Sequence, residues 1–262
     1  MPPPQLPAPA THLPAPGRRR LLVSALGLMG GGGLLALGGC GGGLLGDEAS
    51  VRFVNATVDY TQADFYVAGE KLASKLANGG SISGWETVEA EDAVQFALYN
   101  GGGSSAQLTV TRTLDEDSST SVLAYGSLAN GLQFRFFTES NASADSGKVK
   151  VRLFHAAENL GSLDLYITNE SSLSGQSPTA TVTSFGELSD FGTVASGTYR
   201  IRLTTHNDQG NMLFDYTAKI NLPGTTVHTL VVVPRASGSY PNVSALQEQG
   251  DSALLANTLA AS

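Results

Sequence analysis

Val51-Arg52-Phe53-Val54-Asn55-Ala56 returns one hundred residues later as Val151-Arg152-Leu153-Phe154-His155-Ala156, and this duplication constrains the fold more than any other feature of the chain. Ala63-Asp64-Phe65-Tyr66-Val67 returns in the same register as Leu163-Asp164-Leu165-Tyr166-Ile167. Val51, Arg52, Ala56, Asp64 and Tyr66 recur unchanged, and several other pairs exchange one apolar side chain for another. A period of this length is that of a domain, not of a solenoid repeat. The 262 residues therefore divide into a unit over 49–138, a small polar linker over 139–148 and a second unit over 149–240. Residues 241–262 read as a C-terminal tail, with a helical flavour confined to Ala253–Leu259.

Within each unit the apolar pattern has a period of two. Val51, Phe53 and Asn55 alternate with Arg52 and Val54; Val94, Phe96 and Leu98 alternate with Gln95 and Ala97; Tyr199, Ile201 and Leu203 alternate with Arg200 and Arg202. Short runs of this kind, separated by Gly, Asn and Asp clusters, specify strands joined by turns. Charged residues are only 15% of the chain, and Gly, Ser, Thr and Ala fill their place, which suits strands and turns rather than amphipathic helices. The expected fold class is all-β: two tandem antiparallel β-sandwiches of the Ig-like or transthyretin-like kind.

The first forty residues read as an address. Residues 1–16 carry seven of the eleven prolines and form a leader with no regular structure. Arg18-Arg19-Arg20 precedes an apolar stretch from Leu21 to Leu37, which Gly30 to Gly33 interrupt. The interrupted stretch barely reaches the ~18 continuous apolar residues of a spanning helix and matches an export signal over 1–39. Leu37-Gly38-Gly39-Cys40 resembles the bacterial lipobox. That resemblance implies cleavage before Cys40, diacylglycerol on its sulfur and a third, palmitate-type chain on the new amino group. Gly41 stands where an Asp would favour inner-membrane retention, which points to the outer membrane. Residues 40–48 then form a lipidated, Gly-rich tether. Arg18-Arg19-Arg20-Leu21-Leu22 also resembles a twin-arginine signal, so the export route stays open. Cys40 is the single cysteine, which excludes a disulfide within the chain. Loss of the three leader arginines takes the net charge from −8 to −11. That balance excludes nucleic acid as a partner and leaves the anchor as the membrane contact.

The openings of the two units, together with Gly69, Phe191-Gly192-Thr193-Val194 and Ser196-Gly197-Thr198-Tyr199-Arg200-Ile201, resemble the bacterial family known as domain of unknown function 4397 (DUF4397). The resemblance spans most of 50–140 and 148–234. It implies compact antiparallel β-sandwiches, often in tandem, on envelope or secreted proteins, without enzyme activity, cofactor or catalytic residues.

The candidate chemistry is sparse. After cleavage the histidines are His155, His206 and His228, and they form no H-x-x-x-H or H-x-E pattern, so no metal, cofactor or catalytic residue is assigned. No G-x-S-x-G elbow is present. Asp115-Glu116-Asp117 lacks the glycine and distal glutamate of an EF-hand loop, and Glu89, Glu91 and Asp92 read as a solvated turn. His155 aligns with Asn55 and reads as a polar cap on the core edge. The recurring polar constellation is Arg52 with Asp64 and Arg152 with Asp164, expected on the strand face opposite the core as a cross-strand ion pair. Its recurrence signals binding or shared ancestry. The reading is a non-enzymatic, lipid-anchored envelope protein, a binding or structural module for a protein or glycan partner. An exposed aromatic patch near Trp85, Tyr99 or Tyr240 would favour it. The alternative is an envelope hydrolase or metal-dependent enzyme, with His155, His206 and Asp208 converging in one cleft.

Overall fold

A computed structural model describes residues 47–140, 142–235 and 240–259. The export signal, Cys40 and most of the tether lie outside the described residues.

The first unit contains nine strands: β1 (Glu48–Thr57), β2 (Gln62–Val67), β3 (Glu70–Ala77), β4 (Ser81–Ile82), β5 (Glu86–Glu89), β6 (Val94–Asn100), β7 (Ala106–Arg112), β8 (Ser119–Ser127) and β9 (Gly131–Thr138). One sheet runs β4-β1-β8-β9, with β5 also paired to β1, and the other runs β3-β2-β6-β7. Between them Phe53, Phe65, Phe96 and Leu98 form a core into which Phe134 and Phe136 pack from β9. The Phe53 and Phe65 rings meet at 4.8 Å across the two sheets. This is an all-β sandwich, as the period-two pattern requires.

The second unit repeats the plan with β10 (Lys148–His155), β11 (Leu163–Thr168), β12 (Ala180–Val182), β13 (Gly192–Ala195), β14 (Gly197–Thr205), β15 (Asp208–Leu222), β16 (Val227–Val233), β17 (Asn242–Gln247) and β18 (Ala253–Leu255). Its sheets run β13-β10-β16-β17-β18 and β12-β11-β14-β15. Leu153, Leu163, Leu165, Ile201, Leu203, Phe214 and Leu230 fill its core.

Two expectations are corrected. The sheets are not purely antiparallel: β1 pairs β8 in parallel, with Val51 opposite Thr120, and β10 pairs β16 in parallel, with Val151 opposite His228. Parallel partners need a long crossover, and here the intervening strands of each unit, most of them in the second sheet, provide it. Within the expected tail over 241–262, the described residues 241–259 are also not a tail. Asn242–Gln247 pairs the free edge of β16 and Ala253–Leu255 extends the sheet, placing Val243 and Leu255 in the core. All seven residues of β16 are buried, so its second edge requires a protein partner rather than water. The helical flavour of Ala253–Leu259 yields to that demand. Asn257 fastens the closing turn by donating to Leu213 O (2.8 Å) and Pro241 O (2.9 Å).

A third apolar cluster lies between the units. Val54, Ala56, Leu123, Tyr125 and Phe137 of the first pack on Phe154, Ala156, Val231, Val233 and Leu246 of the second. In the repeat Val54 corresponds to Phe154 and Ala56 to Ala156. The strand registers further match Leu123 to Val231, and Tyr125 and Val233 each follow two residues on. Each unit thus offers the same face to the other, a self-complementary contact of the kind two-fold dimers use. The result is four stacked sheets, with β1 and β10 buried on both faces.

Candidate recognition site

The recurring charges do not form the expected ion pair. Arg52 and Arg152 sit on β1 and β10, whereas Asp64 and Asp164 sit on β2 and β11, in the opposite sheet of each sandwich. All four are buried or nearly so. Strands in different sheets cannot bring side chains together across a ladder, so each group has found other partners.

The aspartates fasten turns. Asp64 accepts from Lys71 Nζ (2.5 Å), the Lys75 N–H (2.6 Å) and the Gly102 N–H (3.1 Å). Asp164 accepts from Thr181 Oγ1 (2.6 Å) and the Asn207 N–H (2.9 Å), and pairs with His206 Nδ1 at 2.9 Å. Burial pushes both carboxyls up, but these bonds outweigh it and hold them below the usual carboxylate range.

The arginines face the seam between the sandwiches. Arg52 Nε donates to Ser121 Oγ (2.7 Å), and Arg152 Nε donates to Thr229 Oγ1 (2.9 Å), the same register position in each unit. Arg52 also donates to Gln247 O (3.0 Å) and Gly250 O (3.3 Å) of the other sandwich, with Glu139 at 3.9 Å. Its guanidinium is drawn down to about 10 by burial, opposed by Glu139 and Glu248. Arg152 lies 5.7 Å from the Phe137 ring centroid, and Glu248 likewise opposes the lowering of its pKa by burial. Both cations therefore gather at one end of the seam, around the end of β9 and Glu248.

Above each arginine stands an aromatic ring, Trp85 in the first unit and Phe191 in the second. Arg52 Cζ lies 4.2 Å from the Trp85 centroid, and Arg152 Cζ lies 4.7 Å from that of Phe191. Trp85 is 37% exposed and Phe191 42%, although each has a cation against its ring. The two loops are built alike. The Ser83 N–H donates to Phe53 O (2.9 Å), the Phe53 N–H donates to Ser83 Oγ (2.8 Å), and that hydroxyl donates to Gly84 O (2.8 Å). In the second unit the Ser189 N–H donates to Leu153 O (2.9 Å), the Leu153 N–H to Ser189 Oγ (2.9 Å), and the hydroxyl to Asp190 O (2.8 Å). Ile82 and Leu188, one residue earlier, both pack into the seam. The signal was present: Ser83-Gly84-Trp85-Glu86-Thr87-Val88 recurs as Ser189-Asp190-Phe191-Gly192-Thr193-Val194. It escapes a strict search because it returns after 106 residues rather than 100.

The other candidate groups are dispersed. His155 is buried, accepts the Ala157 N–H at Nδ1 (3.3 Å) and faces Gly161 O from Nε2 (3.0 Å), so the neutral Nε2–H form satisfies its ring. Burial keeps its pKa below the ordinary histidine value. Asn55 fills the same place by donating to Leu76 O (2.8 Å) and accepting from Thr57. His206 is bound to Asp164 and not to His155. Tyr99 packs on Tyr66 at 4.4 Å, and Tyr240 is half-buried.

A search of curated proteins returned no match. The family comparison does return one, and it begins at the N-terminal strand of the first sandwich. Over residues 49–166, from β1 into β11 and so through the second copy of the opening motif, the chain matches the family described as Domain of unknown function (DUF4397).

Proposed function

We propose that this protein is a non-enzymatic, lipid-anchored module of the bacterial cell envelope, whose fused sandwiches display a recognition surface. The observation that carries the reading is a division of labour. Arg52, Asp64, Arg152, Asp164 and His155, which the sequence singles out, are spent on holding turns, core edges and the seam. Trp85 and Phe191, in equivalent loops, stay exposed on rigid supports, where recognition residues are placed. The anchor rests on Arg18-Arg19-Arg20, the apolar stretch and Leu37-Gly38-Gly39-Cys40. Two or three acyl chains hold a protein stably, since each buried methylene contributes about 0.8 kcal/mol.

Intact mass spectrometry of membrane fractions tests the anchor. The wild-type chain is expected to begin at Cys40 with added acyl mass, and Cys40→Ser is expected to lose both features. An unmodified, uncleaved wild-type chain contradicts it.

One observation favours a second reading. His206 Nδ1 lies 2.9 Å from Asp164 Oδ1 and its ring is half-exposed, an arrangement that a general base uses. Hydrolysis of an ester or glycoside that His206→Ala abolishes would favour this alternative, a hydrolase, over the binding module.

A further inference from the structure

We propose that Trp85 and Phe191 form a paired platform for a neutral, hydroxyl-rich polysaccharide running across the seam between the sandwiches. This deepens the recognition reading above and rests on it. The geometry is duplicated in every component: a Ser that replaces a ladder partner through its hydroxyl, one spacer residue, an exposed ring, and an arginine, buried at Arg52 and half-buried at Arg152, against that ring. Core packing does not require either ring, because both extend beyond the third apolar cluster to solvent. Two units that differ at most positions have thus kept an aromatic at the same exposed site.

The arginines orient the rings in advance. Each guanidinium is fixed through Nε to a strand hydroxyl, so each ring rests on an immobile cation, and little freedom is lost when a ligand docks. Both guanidiniums reach the end of β9, one over Phe137 and the other beside Glu139, so the rings stacked on them flank the same end of the seam, Trp85 beside β1 and Phe191 beside β10. A polysaccharide presents axial C–H groups to ring faces at intervals along its length, which suits separated platforms better than one continuous patch. Aromatic faces carry negative quadrupole charge and attract such C–H edges.

Charge selects among ligands. Exposed Glu86 and Asp190 flank the rings, and the chain carries a net charge of −8. An anionic polymer is repelled, while the hydroxyls of a neutral one donate to these carboxylates. Beside Arg52's partner Gln247, a recess of about 190 Å³ lined by Ser143, Thr226, Gln247 and Glu248 adds hydroxyl, amide and carboxylate groups.

Affinity electrophoresis of the detergent-solubilised full chain, in gels containing laminarin, galactomannan or dextran with alginate as the anionic control, tests the proposal. Retardation by at least one neutral polymer and none by alginate is expected, with binding about tenfold weaker in Trp85→Ala and in Phe191→Ala. Trp85 is the only tryptophan, so its fluorescence reports the same event directly in the wild type and in Phe191→Ala. Circular dichroism melts are expected to be nearly unchanged in both variants, which separates lost binding from lost folding. No retardation by any neutral polymer, or retardation insensitive to both substitutions, overturns the proposal. Replacement of Trp85 by a photo-crosslinking amino acid in cells distinguishes the two failures. Capture of a protein at that position overturns the glycan but keeps recognition; no capture together with no retardation overturns both.

Discussion

His228 shows how a single side chain sets the response of the protein to pH. It lies on β16 with its ring toward the core of the second sandwich. Nε2 meets Thr226 Oγ1 at 3.0 Å, while Nδ1 has no hydrogen-bond partner among the described residues. Burial pulls its pKa down to about 4 from 6.5. The unfolded chain therefore takes up a proton first as pH falls. Stability is expected to drop from about pH 6.5 and to level off below the folded value, by about 3 kcal/mol in all. Urea denaturation of the wild type and of His228→Leu between pH 7.5 and 4 measures this, and the variant is expected to lose that share of the slope. His155 shifts in the same direction and adds to the loss. Neither effect is readable from sequence, where both histidines are isolated letters without a motif. What the sequence does carry at this scale is identity: Arg52 and Asp64 recur because Ser121, Thr229 and the hairpin turns need them. Their partners were missed because covalent spacing does not say which sheet a strand joins.

At the scale of elements, the period-two pattern located most strands but described only one of their faces. Val54, which the alternation puts on the outer face of the first strand, and Ala56 two residues on are as buried as Val51 and Phe53, because the outer face meets the other repeat. The same burial explains Val227–Val233, where Leu230 to Val233 form an unbroken apolar run and even His228 and Thr229 are buried, as in a strand covered on both sides. The end of the chain shows no strand pattern for a related reason: its strands exist only because β16 has an edge to fill. The turn between β3 and β4 belongs to this scale as well. Gly80 has φ +94°, its carbonyl accepts from Ser244 Oγ at 2.7 Å, and a Cβ there would lie 2.7 Å from Val233 Cγ2 and closer still to Ser244 Oγ. Gly80→Ala combines left-handed strain with a wedge in the seam and is expected to cost about 2–4 kcal/mol in chemical denaturation. A loss below about 0.5 kcal/mol would show that the turn yields freely.

For the whole molecule, the duplication is both a history and a mechanical design. Two equivalent faces close on one another, so the tandem pair behaves as a dimer written into one chain, and the residues between the sandwiches are fastened rather than slack. Glu139 is buried and accepts the Gln249 N–H, and Ser140 donates to Glu248. This coupling fixes the spacing of the Trp85 and Phe191 loops, which independent sandwiches on a free linker would not hold. Phe154 is the keystone: fully buried, it meets Tyr125 at 5.2 Å and Phe137 at 5.3 Å, both edge-on, with Arg135 at 5.6 Å. Phe154→Ala is expected to cost about 3–5 kcal/mol. Differential scanning calorimetry tests the fused body most directly. The wild type is expected to unfold in one transition with equal calorimetric and van't Hoff enthalpies, and Phe154→Ala to split into two. Two independent transitions in the wild type would contradict the account.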